Sequence, residues 1–203
     1  MNAIFLTRVK VRATPGLSGT LLKVAATDDV ATVLAATPTF MDGFEWWHLR
    51  HEDGVTGWSA RKLNDEHLLY IGSDRFEEVF KFTLRWEGGY VFNPDDPGGA
   101  TKYGISKHAY PDLDIYNLTL NYAKAIYYED YWLKAASMVD APKDQILFEV
   151  AVVTGVGRAL KLAELSPLAI IIKQYEFYTS LVNFSIFGKG WIRRNTDLAR
   201  VLL

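Results

Sequence analysis

Cysteine is absent from all 203 residues of the chain. Its absence excludes a disulfide scaffold, a thiolate metal site and a cysteine nucleophile. An excess of positive charge is missing too, since 22 lysines and arginines are set against 24 aspartates and glutamates. Because a nucleic-acid-binding domain needs a basic patch or stripe, we expect no nucleic-acid partner.

Long apolar runs are also missing. The longest candidate, at residues 168–172, is far shorter than the ~20 residues that cross a membrane, so we expect no membrane span. The first eight residues place their charge after a short apolar run, which does not resemble a signal peptide. The four histidines form no tight cluster of the kind that holds a catalytic zinc. We therefore expect no metal and no cofactor, and we also expect a monomer.

The first third of the chain shows the two-residue alternation of β-strands. Residues 47–51 and 55–58 alternate on either side of Asp53-Gly54. An Asp-Gly pair between two such runs is a strong hairpin signal. Several short strands within residues 1–69 predict a small all-β barrel.

Helical periodicity begins near residue 74. Asp74 is a suitable N-cap, and residues on one face then recur at helical spacing. The members of that face are Phe76, Val79, Phe80, Thr83, Leu84 and Glu87. Further helices are predicted over residues 119–131, 143–165 and 168–181, with prolines at the breaks. The basic segment 189–200 is typical of a solvated surface.

The change of period predicts two domains, residues 1–69 and 74–203. A short linker lies around residues 69–73, and Gly72 is its expected flexible point. The predicted fold is a small all-β barrel followed by a mainly α domain that carries a β-hairpin.

Glu87 falls on the buried face of the first predicted helix and at its C-terminus, directly before Gly88 and Gly89. Burial disfavours a charged carboxylate, and the negative end of the helix dipole disfavours it as well. Both effects favour the protonated carboxyl that a general acid needs. A glutamate followed by two glycines is, taken alone, more often an ordinary helix end.

The segment after Glu87 predicts a β-hairpin. Two strand-like runs flank a turn-rich loop at residues 93–100. The returning strand would pass the end of the first helix, which brings Asp96 and Thr101 towards Glu87. A second carboxylate and a hydroxyl serve to orient an attacking water, or the carboxylate acts as a nucleophile or electrostatic stabiliser. Each residue alone is typical of a turn or strand, but their combination favours a function.

Two blocks of sequence carry a family resemblance. They read Glu87-Gly88-Gly89-Tyr90-Val91 and Asp96-Pro97-Gly98-Gly99-Ala100-Thr101-Lys102-Tyr103-Gly104-Ile105-Ser106. Together with weaker similarity over residues 75–195, they resemble glycoside hydrolase family 108, lysozyme-like N-acetylmuramidases that are often phage endolysins. The resemblance implies a mainly helical lysozyme-like fold with a hairpin at the cleft, with Glu87 as the acid and Asp96 and Thr101 as its catalytic partners. We assign Tyr90 and Tyr103 to substrate binding.

The C-terminal half departs from the family pattern. Where a motif of the form Phe-Asp-x-Ala-Val-Asn-x-Gly is expected, the chain reads Phe148-Glu149-Val150-Ala151-Val152-Val153-Thr154-Gly155. Val153 replaces the asparagine, and Gln174 stands where arginine is usual. Because this lobe usually helps to bind the glycan, we expect altered substrate affinity or efficiency.

The first domain carries a second resemblance. Residues 9–15, 47–50 and 53–58 resemble a bacterial SH3 domain. Such domains commonly bind the stem peptides of peptidoglycan, so we assign Trp47 and Trp58 to that contact, with core packing as the competing role. Adjacent residues on a strand face opposite sides, so we expect either Trp46 or Trp47 to be exposed.

The leading hypothesis is a two-domain peptidoglycan hydrolase that cleaves the β-1,4 bond between N-acetylmuramic acid and N-acetylglucosamine. The glycan strand would lie in the cleft and the stem peptide at the SH3-like domain. Two alternatives stay open: a lytic transglycosylase, which forms an anhydro sugar without water, and a non-catalytic wall-binding protein. Such a protein would wait in the cytoplasm until it is released to the cell wall, or would be secreted without a classical signal peptide.

Overall fold

The computed structural model describes residues 1–64, 66–91 and 99–202. The chain divides into two compact units, Met1–Ile126 and Tyr127–Leu203. In the described residues, every strand lies in the first unit and the second unit is helical. None of the described helices has both the length and the apolar character that a membrane span requires.

The N-terminal region is all β, as the sequence predicts. Its strands are β1 Asn2–Phe5, β2 Val9–Arg12, β3 Leu21–Ala25, β4 Val30–Val33, β5 Thr39–Met41, β6 Phe44–His51, β7 Thr56–Ala60, β8 Lys62–Leu63, β9 Glu66–His67 and β10 Leu69–Tyr70. Eight strands form one sheet in the order β10-β1-β4-β6-β7-β2-β3, with β5 also paired to β6. The predicted closed barrel is not formed by the described strands, because β10 and β3 end this ladder without pairing to each other.

The hairpin predicted at Asp53-Gly54 is confirmed. Strands β6 and β7 are antiparallel, with Arg50 opposite Thr56 and His48 opposite Trp58. Gly54 has φ +84°, a left-handed conformation that glycine adopts at little cost. Alternation along these strands sends one set of side chains inwards. The resulting core contains Ala3, Phe5, Val9, Val11, Ala25, Ala31, Trp47, Leu49, Leu69 and Ile71.

The segment predicted as a flexible linker is packed. Strand β10 pairs with β1, and Ile71 is buried. Gly72 lies against the Tyr70 ring, since a Cβ on this glycine would stand 2.0 Å from the Tyr70 hydroxyl oxygen. The linker prediction was wrong because tertiary contacts hold a segment whose local sequence carries no strong strand signal.

The helices and the second hairpin follow this segment. They are α1 Asp74–Trp86, β11 Thr101–Lys102, β12 Ile105–Ser106, α2 Leu120–Ile126, a π-helical turn Tyr127–Trp132, α3 Leu133–Ala135, α4 Lys143–Thr154, α5 Val156–Leu162, α6 Pro167–Ser180 and α7 Phe184–Leu202. The helix predicted over residues 168–181 is confirmed as α6. The helix predicted over residues 143–165 is divided, and the segment predicted as solvated surface at residues 189–200 is part of α7.

Helix α1 begins one residue earlier than predicted. Its N-cap is Ser73, whose hydroxyl accepts the Phe76 N–H at 3.2 Å. Ser73 has the extended backbone of an N-cap, φ −80° and ψ 153°, whereas Asp74 is already helical. The predicted apolar face is largely confirmed, because Phe76, Val79, Phe80 and Thr83 are buried.

Ion pairing ties α1 and α2 to the β region within the first unit. Glu77 of α1 accepts a hydrogen bond from the Tyr70 hydroxyl of β10 and pairs with Lys124 Nζ of α2 at 2.7 Å. Asn121 Nδ2 donates to Asp28 Oδ1 at 2.9 Å. The β region and the first two helices are therefore joined by specific polar contacts.

Gly155 separates α4 from α5 and provides a test of the fold. Its backbone, φ +91° and ψ 151°, lies in a region that is essentially restricted to glycine, so we expect Gly155→Ala to destabilise the protein by about 1–3 kcal/mol. A Cβ there would meet no described atom within 4 Å, so the cost is in the backbone alone. Denaturant unfolding measures it.

The matched control is Gly157→Ala, inside α5. This glycine has no left-handed φ and equally open surroundings among the described residues. Alanine should be neutral there or stabilise the helix by up to about 1 kcal/mol. Equal unfolding midpoints for Gly155→Ala and wild type would contradict the assigned backbone conformation.

Candidate active site

Glu87 is the C-cap of α1. Its backbone N–H donates to the Thr83 carbonyl at 3.2 Å, and its own φ of −90° and ψ of 133° take the chain out of the helix. The predicted location at the helix end is confirmed. The side chain is partly buried, not fully buried as the helical periodicity predicted, because the chain turns away from the apolar face at this residue.

The two glycines after Glu87 are not required by the local backbone. Neither Gly88 nor Gly89 has the left-handed φ of a helix-stopping glycine, and a Cβ on either would meet no described atom within 4 Å. The helix ends through the extended conformation of Glu87 instead. The glycines leave open space beside the carboxyl, as at sites where a ligand approaches the backbone closely.

The predicted hairpin is present beyond the glycines. Val91 and Thr101 form an antiparallel bridge with two hydrogen bonds of 2.8 Å. Strand β11 then pairs with β12 across a two-residue turn in which Tyr103 has φ 51° and Gly104 has φ 74°. Positive φ at both central residues defines the turn type that matches the twist of a hairpin.

The hairpin turn is fastened to the end of α1, as predicted. The Tyr103 N–H donates to the Gly88 carbonyl at 3.1 Å, so the turn and the residue next to Glu87 are in direct contact. Thr101 is partly buried at the start of β11. Asp96 lies outside the described residues, and its predicted approach to Glu87 stays a prediction.

An exposed pair of tyrosines lies beside these elements. Tyr90 is 43% exposed and Tyr116 is 68% exposed, and their rings meet edge to face with centroids 5.4 Å apart. Lys102 Nζ donates to the Tyr116 carbonyl at 2.9 Å. Sequence reasoning missed Tyr116. The available signal was an aromatic residue within the polar segment from Asp114 to Asn117.

Asp114 organises the loop that carries Tyr116. Its carboxylate accepts the Asn117 side-chain N–H at 2.8 Å and the Asn117 backbone N–H at 3.2 Å. These hydrogen bonds hold the pKa of the Asp114 carboxyl below its usual value. The loop is therefore closed by its own polar groups.

The two tryptophans assigned to peptide binding have different environments. Trp47 is 9% exposed, belongs to the β core and donates its indole N–H to Glu45 Oε1 at 2.6 Å. Trp46 is 2% exposed, and its indole donates to the Met41 carbonyl at 3.0 Å. The expectation that one of them is exposed was wrong, because β6 is an interior strand and β5 pairs along its start. Trp58 is partly buried and stacks on His48 at 4.6 Å.

The positions that depart from the family pattern gather at one small cavity in the second unit. Its lining comprises Glu149, Val150, Val153, Gln174, Tyr178, Arg194, Asn195 and Leu198. Glu149 of α4 pairs with Arg194 of α7, with both Nε and Nη2 at 2.9 Å from Oε2. Gln174 accepts from Arg158 Nε at 2.9 Å and donates to the Tyr178 hydroxyl at 3.2 Å. Burial raises the pKa of Tyr178 to about 12.

Comparison with known proteins bears on the same segment. The family model described as Glycosyl hydrolase 108 matches residues 80–155. This match supports a glycoside hydrolase. The solved structure of Brucella abortus SagA is similar to this chain, with 28% identity and a TM-score of 0.55 over 63% of this chain and 92% of that chain. Comparison with curated proteins gives no match. The matched residues include Glu87, the hairpin and α4.

Proposed function

We propose that the protein is a peptidoglycan hydrolase that cleaves the β-1,4 bond between N-acetylmuramic acid and N-acetylglucosamine. Glu87 is the general acid. The observation that carries the proposal is the position of this glutamate within the family-matched segment. It is partly buried at the end of α1, and two glycines that the local backbone does not require leave space beside it.

The chemistry needs a proton donor at this position. A glycosidic oxygen is a poor leaving group, and a carboxylic acid protonates it as the bond to the sugar breaks. The side chain of Glu87 has a shielded side towards the helix end and an accessible side towards the glycines. The accessible side allows the scissile oxygen to approach within hydrogen-bond distance.

Asp96 and Thr101 complete the proposed catalytic set. Positive charge develops on the sugar ring in the transition state, and a carboxylate stabilises it or orients the attacking water. The Thr101 backbone is held by its bridge to Val91, which supports a fixed position for the hydroxyl. The role of Asp96 rests on the sequence block that it shares with Thr101. Tyr90 and Tyr103, on either side of the Gly88 carbonyl contact, are the proposed glycan contacts.

We further propose that residues 1–69 form an SH3-like wall-binding domain and residues 74–203 a lysozyme-like domain. Trp58 supports the binding role, because it lies opposite both His48 and Arg12 on neighbouring strands. Cross-strand partners share one face of a sheet. Two stacked rings beside a guanidinium group suit a peptide with a free carboxylate. Trp47 has no part in this contact, since it is buried in the core.

The released products test the proposal. Hydrolysis places water oxygen on a new reducing end of N-acetylmuramic acid, so digestion of purified walls in ¹⁸O-labelled water should give labelled muropeptides by mass spectrometry. Anhydro ends without the label would replace hydrolysis by transglycosylation. Sedimentation with walls and no soluble sugar would leave a wall-binding protein.

A further inference from the structure

Tyr116 is a large ring left in water next to the proposed catalytic residue. It is 68% exposed, and its neighbour Tyr90 is 43% exposed. Their rings are nearly perpendicular, at 87°, with centroids 5.4 Å apart. Grouped exposed aromatic surface is uncommon without a binding role. The two rings therefore need an explanation that packing does not supply.

The ring of Tyr116 is presented on an ordered loop. Asp114 closes the loop through two hydrogen bonds from Asn117, and Lys102 of β11 donates to the Tyr116 carbonyl at 2.9 Å. The loop is thus held from its own base and from the hairpin. A side chain fixed before binding loses little conformational entropy when a ligand arrives.

Hydrogen bonds connect this loop to Glu87. The hairpin residue after Lys102 donates its N–H to the carbonyl of Gly88 at 3.1 Å, and Gly88 is the neighbour of Glu87 in the chain. Tyr90 follows Glu87 by three residues. All of these residues lie in the first compact unit, so the tyrosine pair and the carboxyl belong to one bonded frame.

The chemistry of the pair suits a sugar. One face of a pyranose ring is lined by C–H groups that pack on an aromatic face, while its substituents need hydrogen-bonding groups at the edge. Tyrosine supplies a rigid apolar ring and a hydroxyl on the same side chain. A binding site for a purely apolar ligand would not need the hydroxyl groups.

We propose that Tyr116, together with Tyr90, forms a stacking subsite for one N-acetylhexosamine ring of the glycan strand, beside the bond that Glu87 cleaves. The proposal rests on the proposed function for the position of the cleft. Its own claim is that the Tyr116 ring binds sugar.

Calorimetric titration of the full chain with the soluble hexamer of β-1,4-linked N-acetylglucosamine tests the claim. An aromatic contact is worth about 0.5–1.5 kcal/mol, so Tyr116→Ala should weaken binding by roughly 2- to 13-fold. Tyr116→Phe keeps the ring and should bind within about 2-fold of wild type on the same scale. On purified walls, Tyr116→Ala should raise KM and leave kcat unchanged.

Phe40→Ala is the matched control. Phe40 is an equally exposed aromatic residue of β5, at 76%, and its loss should change neither hexamer binding nor KM. Thermal unfolding of each variant verifies the fold. Wild-type affinity and KM in Tyr116→Ala would overturn the subsite, as would failure of the wild-type protein to bind the hexamer.

The two proposals fail separately. Loss of hexamer binding in Tyr116→Ala, in a protein that releases no product from walls, would remove the hydrolase and keep the subsite. Cleavage that depends on Glu87 but not on Tyr116, in affinity or KM, would keep the hydrolase and remove the subsite.

Discussion

The Glu87→Gln protein should hydrolyse purified cell walls roughly 10²- to 10⁴-fold more slowly than the wild type, the usual contribution of a general acid. Glutamine has almost the same shape as glutamate but no acidic proton to donate to the leaving oxygen. The side chain is partly exposed at a helix end, so the exchange should leave the fold intact. Wall clearing, followed as loss of turbidity, measures the rate.

Glu78→Gln is the control for this exchange. Glu78 lies on the same helix, with a side chain 69% exposed and paired to Arg75 at 2.7 Å. A surface ion pair contributes at most about 1 kcal/mol, and the residue has no proposed role in cleavage, so clearing should be unchanged. Sedimentation with walls should be retained by both variants. Clearing by Glu87→Gln at the wild-type rate would exclude Glu87 as the acid.

Arg194→Met should destabilise the protein by about 3–5 kcal/mol, the usual cost of removing one partner from a buried ion pair. The side chain of Glu149 is 3% exposed and that of Arg194 is 14% exposed. Methionine fills much of the volume but leaves the Glu149 carboxylate without its guanidinium partner. The whole free energy of unfolding of a typical domain is about 5–15 kcal/mol, so the loss is a large share of it.

A double variant separates the ion pair from simple packing. Glu149→Gln combined with Arg194→Met removes both charges, and its unfolding midpoint in denaturant should lie well above that of Arg194→Met alone. Arg193→Met, at the exposed neighbouring position, should change stability by no more than about 0.5 kcal/mol. An Arg194→Met protein as stable as the Arg193→Met protein would show that the pair contributes nothing.

The features that the sequence predicts correctly are local ones. The hairpin at Asp53-Gly54, the apolar face of α1 and the hairpin after Glu87 each follow from residues within a dozen positions of one another. Alternation and turn chemistry decide such structure before distant parts of the chain meet. The end of α1 at Glu87 is predicted for the same reason, although the backbone mechanism differs from the glycine stop that the sequence favoured.

The features that the sequence misses depend on distant contacts. Glu149 and Arg194 are 45 positions apart, and nothing in either neighbourhood marks them as partners. The burial of Trp47 depends on the strands that flank β6, and the order of residues 69–73 depends on β1 and the Tyr70 ring. Helix α7 was missed because its basic residues conceal a face that buries Gly188, Asn195 and Leu198.

Tyr116 shows the same limit within the candidate site. Its own loop is polar and typical of a turn. Its partner Tyr90 is 26 positions away in the chain, and only the folded hairpin brings Lys102 to its carbonyl. Pattern reasoning therefore locates the carboxyl of the site and leaves the exposed ring beside it unseen.

The cavity in the second unit has a consequence for the exchange of residues with related enzymes. Glu149, Val153 and Gln174 line the same small space, and two of them hold polar partners there. Restoring arginine at position 174 alone would set a second guanidinium group against Arg158 and take the amide from Tyr178. Asparagine at position 153 would arrive beside a carboxylate that is already committed to Arg194. These sites are epistatic, so family-typical residues have to be transplanted into this protein as a set.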